Sequence, residues 1–275
     1  WFESTETIIE AALAAVAIYL FVIHSLTSKQ PFISFSLFHN RNYSVGICLA
    51  FIFGMLNFTL MVLTPTMLQD LRGYPDSVIG MLLATRGIGS IAAVFVVVRV
   101  SNWDPRMALS IGFTCQALSG YAMSQLDINM TYWDIAWTST LQGFGIGMSW
   151  VPLTLIMFST VKPDRLDEAS AVFHMLRNFA ASLFISISIA IVVRSTFINT
   201  MALNEFISLF NKSLLFPSVT GPLDFADINS LALAGSEIRR QAIMIGYINV
   251  FKLFTVLSVL PIPFIWLAKL PRYDR

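Results

Sequence analysis

Long apolar runs separated by short polar breaks set the pattern of this chain. A helix that crosses a bilayer needs about 20 mostly apolar residues. Seven runs meet that length, at 5–26, 44–69, 77–98, 105–124, 132–157, 168–196 and 244–268. The breaks carry turn chemistry: Arg72-Gly73-Tyr74-Pro75, Asn102-Trp103-Asp104-Pro105 and Lys162-Pro163-Asp164-Arg165. Ser77 and Asp104 are the expected N-caps of the helices that start beside them. The pattern predicts an all-α, polytopic membrane protein.

Composition supports the pattern. The 275 residues are 56% hydrophobic and 12% charged, against roughly 25% charged in soluble domains. A net charge of +1 gives no field that would gather nucleic acid. Cys48 and Cys115 lie inside apolar runs and read as packing residues. His24, His39 and His174 lack metal-ligand spacing, so no metal is expected. There is no Gly-rich phosphate loop with a Lys and no catalytic triad. The chain reads as a non-enzyme without a cofactor and without direct ATP drive.

Basic residues set the expected orientation. Connections on one side of the membrane hold nine Lys or Arg, among them Arg41, Arg99, Lys162, Arg165 and Lys269. The other side holds four: Arg72, Lys212, Arg239 and Arg240. The excess marks the cytoplasmic side. It places the carboxy terminus inside, residue 1 outside, and the long polar connection 197–243 outside. Within that connection, 236–243 reads as a helical stretch at the outer interface.

Seven helices also fit a receptor or a retinal-type sensor. Lys252 lies only about two turns into the last run, within snorkelling reach of the surface. No carboxylate lies deep in any span to serve as its counterion. One plus six is the better parse. Residues 1–43 form a linker transmembrane helix and a cytoplasmic connection, and 44–275 form a six-helix domain. The six divide into 44–124 and 132–268. Three is odd, so the second triplet starts on the opposite side from the first. That is the 3+3 inverted repeat of secondary transporters. Six helices build one wall of a central cavity. Because the chain opens on Trp1, the other wall is expected from a missing amino-terminal half or from another chain.

Several segments then resemble a known family. Val151-Pro152-Leu153-Thr154, Phe158-Ser159-Thr160-Val161, Pro163-Asp164-Arg165, Glu168-Ala169-Ser170-Ala171 and Leu176-Arg177-Asn178-Phe179 follow one another at fixed intervals. With Ser36-Leu37-Phe38, Arg41-Asn42, Leu68-Gln69, Gly73-Tyr74, Arg86-Gly87 and Asp104-Pro105-Arg106, they resemble drug:proton antiporters of the EmrB/QacA type. These form the 14-helix branch of the major facilitator superfamily. The resemblance implies that helix 5–26 is the second of two helices linking the halves. It implies a carboxy-terminal six-helix domain in a bacterial inner membrane, exporting small amphipathic substrates against proton influx. It also implies a periplasmic adaptor as partner. A metabolite or siderophore transporter on the same fold is the alternative, with a non-transporting seven-helix sensor behind it. Two departures stand out. The stretch Val97-Val98-Arg99-Val100-Ser101-Asn102 is degenerate against the family's loop motif, and Asn249 stands where relatives can carry an acid.

Polar residues deep in spans are the candidate site. Arg86 and Arg177 each lie about nine residues from a helix end, roughly 13 Å into a ~30 Å core. An arginine at that depth costs on the order of 2.5–3.5 kcal/mol, so it faces protein or a wet cavity. All sixteen carboxylates lie in loops, in the tail or near helix ends, so proton coupling is expected to need an acid outside this chain. Arg86 and Arg177 read either as substrate or coupling groups or as links between helices. Gly87 and Gly89 tilt Arg86 toward the second. Asn57, Gln142, Asn178 and His174 join them as candidates for binding substrate or another helix. Gly143, Gly145 and Gly147 suit close helix approach, and Pro65 and Pro152 suit hinges.

Overall fold

A computed structural model describes residues 5–27, 35–206 and 228–268. Its long helices are α1 (Thr5–Thr27), α2 (Arg41–Arg72), α3 (Asp76–Trp103), α4 (Pro105–Ser124), α5 (Tyr132–Phe158), α6 (Leu166–Asn204) and α7 (Ile228–Val259). A short α8 (Pro261–Ile265) follows, and 3-10 turns at Phe35–His39 and Pro163–Arg165 complete the order. Helices are the only repeating structure among the described residues, as the apolar runs predict.

The helices overrun the apolar limits because caps, not hydropathy, end them. The Asn40 side chain accepts the Asn42 and Tyr43 amides at the start of α2. Gly73, at φ 61°, ends α2 in the left-handed region open to glycine. Asp104 caps α4 by accepting the Arg106 amide. Thr131 and Asp134 form a reciprocal capping box on α5. Ser77 is not a cap: α3 begins one residue earlier, with Pro75 in the cap position and no side-chain cap bond. The connection expected over 197–243 is largely helical at both ends. α6 continues to Asn204, and α7 starts at Ile228 and takes in 236–243. Residues 207–227 of that connection lie outside the described residues. The last span is interrupted at Leu260, where Pro261 and Pro263 lack amide donors.

Six helical stretches among the described residues are long and apolar enough to cross a membrane. α4 falls below that hydropathy although its limits match the expected 105–124. Its polar residues turn inward: Gln116 and Ser119 are fully buried. The Ser119 hydroxyl donates to the Thr138 carbonyl of α5 at 2.8 Å. Cys48 is exposed rather than packed, and Cys115 is half-buried.

Packing follows the repeat. α2 lies along α6, and α3 lies along α5. These become the same pair when the triplet α2–α4 is matched to α5–α7. α2 and α5 touch in the middle, and α4 and α7 pack together. α1 makes no extensive contact with this bundle, and its apolar stretch is exposed along its length.

The α3–α5 crossing is made by small residues. A Cβ on Gly89 would run into the Thr140 carbonyl, and one on Gly143 into the Arg86 carbonyl. One on Gly147 would sit 2.6 Å from the Ala93 Cβ. Hydroxyls then bridge the backbones: Ser90 to the Gly143 carbonyl at 3.0 Å and Thr85 to the Ala136 carbonyl at 3.1 Å. Gly145 faces α4 instead, where a Cβ would sit 2.7 Å from the Gly112 carbonyl oxygen. Gly87 has no neighbour within 4 Å of a built Cβ, so it takes no part in this packing.

Gly143→Ala is expected to force α3 from α5 and lower stability by about 1–3 kcal/mol. Gly80→Ala, which meets nothing within 4 Å, is expected to leave stability unchanged or slightly raised. Thermal melting of the two purified variants checks the contrast.

Candidate functional site

The two deep arginines occupy matching places in the two triplets. Gly143 of α5 packs on the backbone of Arg86 in α3, and Gly54 of α2 packs on the backbone of Arg177 in α6. In each case the first helix of one triplet lets the second helix of the other come close. Each arginine then reaches the first helix of its own triplet: Arg86 touches Asn57 on α2, and Arg177 lies over Trp150 on α5.

The matched pair is satisfied differently. Nη2 of Arg86 donates to the Asn57 backbone carbonyl at 2.7 Å and to its side-chain oxygen at 2.6 Å. α2 and α3 otherwise touch little, so this link is a strut between them. Asn57 is its acceptor and, like Arg86, is occupied by the fold.

Arg177 has no such acceptor. Its guanidinium carbon lies 5.1 Å from the Trp150 ring, 5.8 Å from Phe173 and 5.9 Å from Phe58. These rings come from α5, α6 and α2, so the cation sits where three helices meet. Its one hydrogen bond runs to Oδ1 of Asn178, at 3.3 Å. Its Nε is shielded from solvent without a hydrogen-bond partner, and no described carboxylate pairs with it. Aromatic faces stabilise a cation by about 0.5–2 kcal/mol but offer no lone pair in the guanidinium plane. Arg177 is therefore a cation in an apolar setting with donors to spare.

Beside it runs a groove of about 460 Å³ between α2 and α6, lined by Phe58, Met61, Val62, Asn178, Ser182 and Ile185 among others. Phe58 and Asn178 touch Arg177 and belong to the groove wall, so the cation stands at one end of it. Asn178 and His174 are exposed here, and His174 meets the Phe173 ring edge-on at 5.0 Å. Gln142 does not belong to this site: it is 2% exposed, inside the bundle. Pro65 and Pro152 lie within α2 and α5. Asn249 donates to the Ser195 hydroxyl at 2.9 Å, joining α7 to α6. A second groove, of about 490 Å³, lies between α3 and α5 under Trp133, Trp137, Ile88 and Phe144. Its wall is apolar apart from Thr85 and Thr140, which bond backbone carbonyls.

Sequence reasoning missed the aromatic cage. Phe173 was within reach of it, since a residue four before Arg177 shares its helix face. Trp150 and Phe58 come from other helices and carry no local signal.

Two triplets that pack in matching pairs, α2 on α6 and α3 on α5, build the six-helix unit of the major-facilitator fold. Comparison with known proteins agrees. No protein-family model matches the chain. It is 27% identical over 276 residues to the multidrug export protein EmrB of Escherichia coli K12, covering 98% of this chain and 54% of that protein. It is 29% identical over 275 residues to EmrB of Haemophilus influenzae, with the same coverage. The crystal structure of a bacterial homologue of the human lysosomal transporter Spinster, inward-facing and unoccupied, matches with a TM-score of 0.55 at 15% identity. It covers 90% of this chain and 54% of that one, and it shows the fold. The chain is thus a multi-pass membrane protein of the major-facilitator fold, with EmrB multidrug export proteins among its homologues. It spans about half the length of the curated relatives it matches.

Arg86→Met and Asn57→Leu are each expected to lower stability by about 1–3 kcal/mol, as for other bonds to a charged donor. The double variant is expected to lose less than the sum. A double-mutant cycle on melting temperature checks this coupling.

Proposed function

We propose that this chain forms one wall of a bacterial drug-efflux permease driven by proton influx. The observation behind this reading is twofold: 27% identity to an EmrB export protein in an alignment covering 98% of the chain, and a deep arginine on a face that the bundle leaves open. Transport runs by alternating access, with this six-helix unit rocking against a second one about a site near the membrane midplane. The second wall comes from further residues of the polypeptide or from another chain. The proton-carrying acid sits there too, because the deep polar groups of this unit are basic or neutral. The protein lies in the inner membrane with its carboxy terminus in the cytoplasm, and a periplasmic adaptor receives the substrate.

Polar positions on α6 support a wet, substrate-facing surface on this side. Arg177, Asn178, Ser182 and Ser186 on α6 carry polar atoms at partly or fully open positions. The open face of α3, with Met81, Ile91, Val94 and Phe95, is apolar and suits lipid.

Cells expressing the full-length polypeptide are expected to accumulate less of an amphipathic dye than cells without it. Collapse of the proton gradient is expected to remove the difference. Retention that is unaffected by an uncoupler would contradict the proposal.

A further inference from the structure

We propose that the groove between α3 and α5 holds one acyl chain of a bilayer phospholipid, with the polar end of that lipid at Trp133 and Trp137. This goes beyond the efflux reading and does not depend on what the protein exports.

The packing of α3 explains where the groove lies. Near its cytoplasmic end α3 meets α4, where Ala93 and Val97 cluster with Ala108 and Met148. Nearer its middle it crosses α5 closely at Gly89 and Gly143. Beside that crossing Ile88 and Ala92 of α3 form one wall, and Trp133, Trp137, Leu141 and Phe144 of α5 form the other. No residue of α4 lines it. Trp150 of α5 looks toward α2, where its ring lies 5.8 Å from Phe53. Helical spacing sets Trp137 on a well-separated side of α5. The groove therefore opens away from the α2–α6 face and toward the bilayer.

Three properties of the groove select its occupant. The first is polarity. The hydroxyls of Thr85 and Thr140 already donate to the Ala136 carbonyl, and the wall has no other polar side chain apart from the two indoles. A buried water needs two to four polar partners and is poorly served here. The second is length. Trp133 to Phe144 covers about 16 Å of helix at 1.5 Å per residue. That is about half of the ~30 Å hydrocarbon core, the depth of one leaflet. The volume of about 490 Å³ is spread along that length, which suits a slender flexible chain. Lipid tails are as apolar as the wall, so hydrophobic transfer gives no preference. Contact along two walls at once does, because an unfilled groove forfeits dispersion on both sides.

The third is the mouth. Trp133 and Trp137 stand one turn apart near the start of α5 and are 74% and 40% exposed. Indoles favour the membrane–water boundary. Their N–H groups can donate to the ester or phosphate oxygens of a lipid. The mouth thus fixes the polar end at the interface while the chain runs inward to Phe144.

The test uses the full-length polypeptide in nanodiscs doped with a phosphatidylethanolamine that carries a diazirine midway along one acyl chain. Irradiation followed by peptide mass spectrometry locates the adducts. Ile91 of α3 and Leu118 of α4 are exposed, lie outside the groove and report the ordinary lipid annulus. Adducts at Ile88, Trp137 and Leu141 are expected to exceed those at Ile91 and Leu118 by about threefold or more, the ratio that a modest preference over free exchange implies. Ala92→Trp fills the groove from an exposed position. It is expected to bring the groove adducts down to the annular level and to leave those at Ile91 and Leu118 unchanged. Trp133→Leu with Trp137→Leu keeps the wall apolar and is expected to lower the adducts at Ile88 and Leu141. Melting curves confirm that the variants are folded. Equal labelling of groove and annulus would overturn the proposal. So would annular labelling with none in the groove, or groove labelling that a folded Ala92→Trp protein retains in full.

Discussion

Hydrocarbon supplies no hydrogen bonds, and that constraint shapes every level of this protein. Backbone groups must pair within their own helices. Hydroxyls in the spans turn back to a carbonyl one turn earlier, as Thr59 does to Met55 and Ser149 to Gly145. Where helices cross closely, as α3 and α5 do at Gly89 and Gly143, side-chain hydroxyls add bonds across the gap. Arg86 meets the rule through Asn57. Arg177 meets it only in part, with one long bond and three ring faces. The described residues thus leave donors of Arg177 unfilled.

Much of the fold was legible in the sequence because lipid selects for long apolar runs. The seven long helices among the described residues, their division into triplets and the α4 limits at Pro105 and Ser124 follow from apolar runs and turn residues. Helix ends were less legible. Hydropathy reports where hydrocarbon stops, and caps such as Asn40 and Gly73 lie beyond that point. The polar start of α7 reads as an interfacial piece for the same reason, although it continues into the span without a break.

The site was legible only as a set of suspects. Depth picked out Arg86, Arg177, Asn57 and Asn178. It did not distinguish the strut from the open cation, because their partners come from helices distant in sequence. Gln142 was deep and polar yet faces the bundle. Gly87 and Gly89 are two residues apart, and only Gly89 meets a neighbouring helix. Side-chain direction around a helix decides such cases, and depth along the chain does not encode it. The equivalence of the two arginines needs both triplets superposed, which hydropathy does not provide.

The proposed function requires the α2–α6 face to border water and substrate while the α3 face borders lipid. Cysteine accessibility tests it most directly. In a background with Cys48→Ala and Cys115→Ala, Ser182→Cys and Ser186→Cys probe one face, and Val94→Cys and Phe95→Cys the other. All four positions are exposed on the bundle. A membrane-impermeant thiol reagent applied to the full-length protein in membranes is predicted to label 182 and 186, less so with substrate present, and to spare 94 and 95. Equal labelling of the two faces, or labelling of the α3 face alone, would contradict the account.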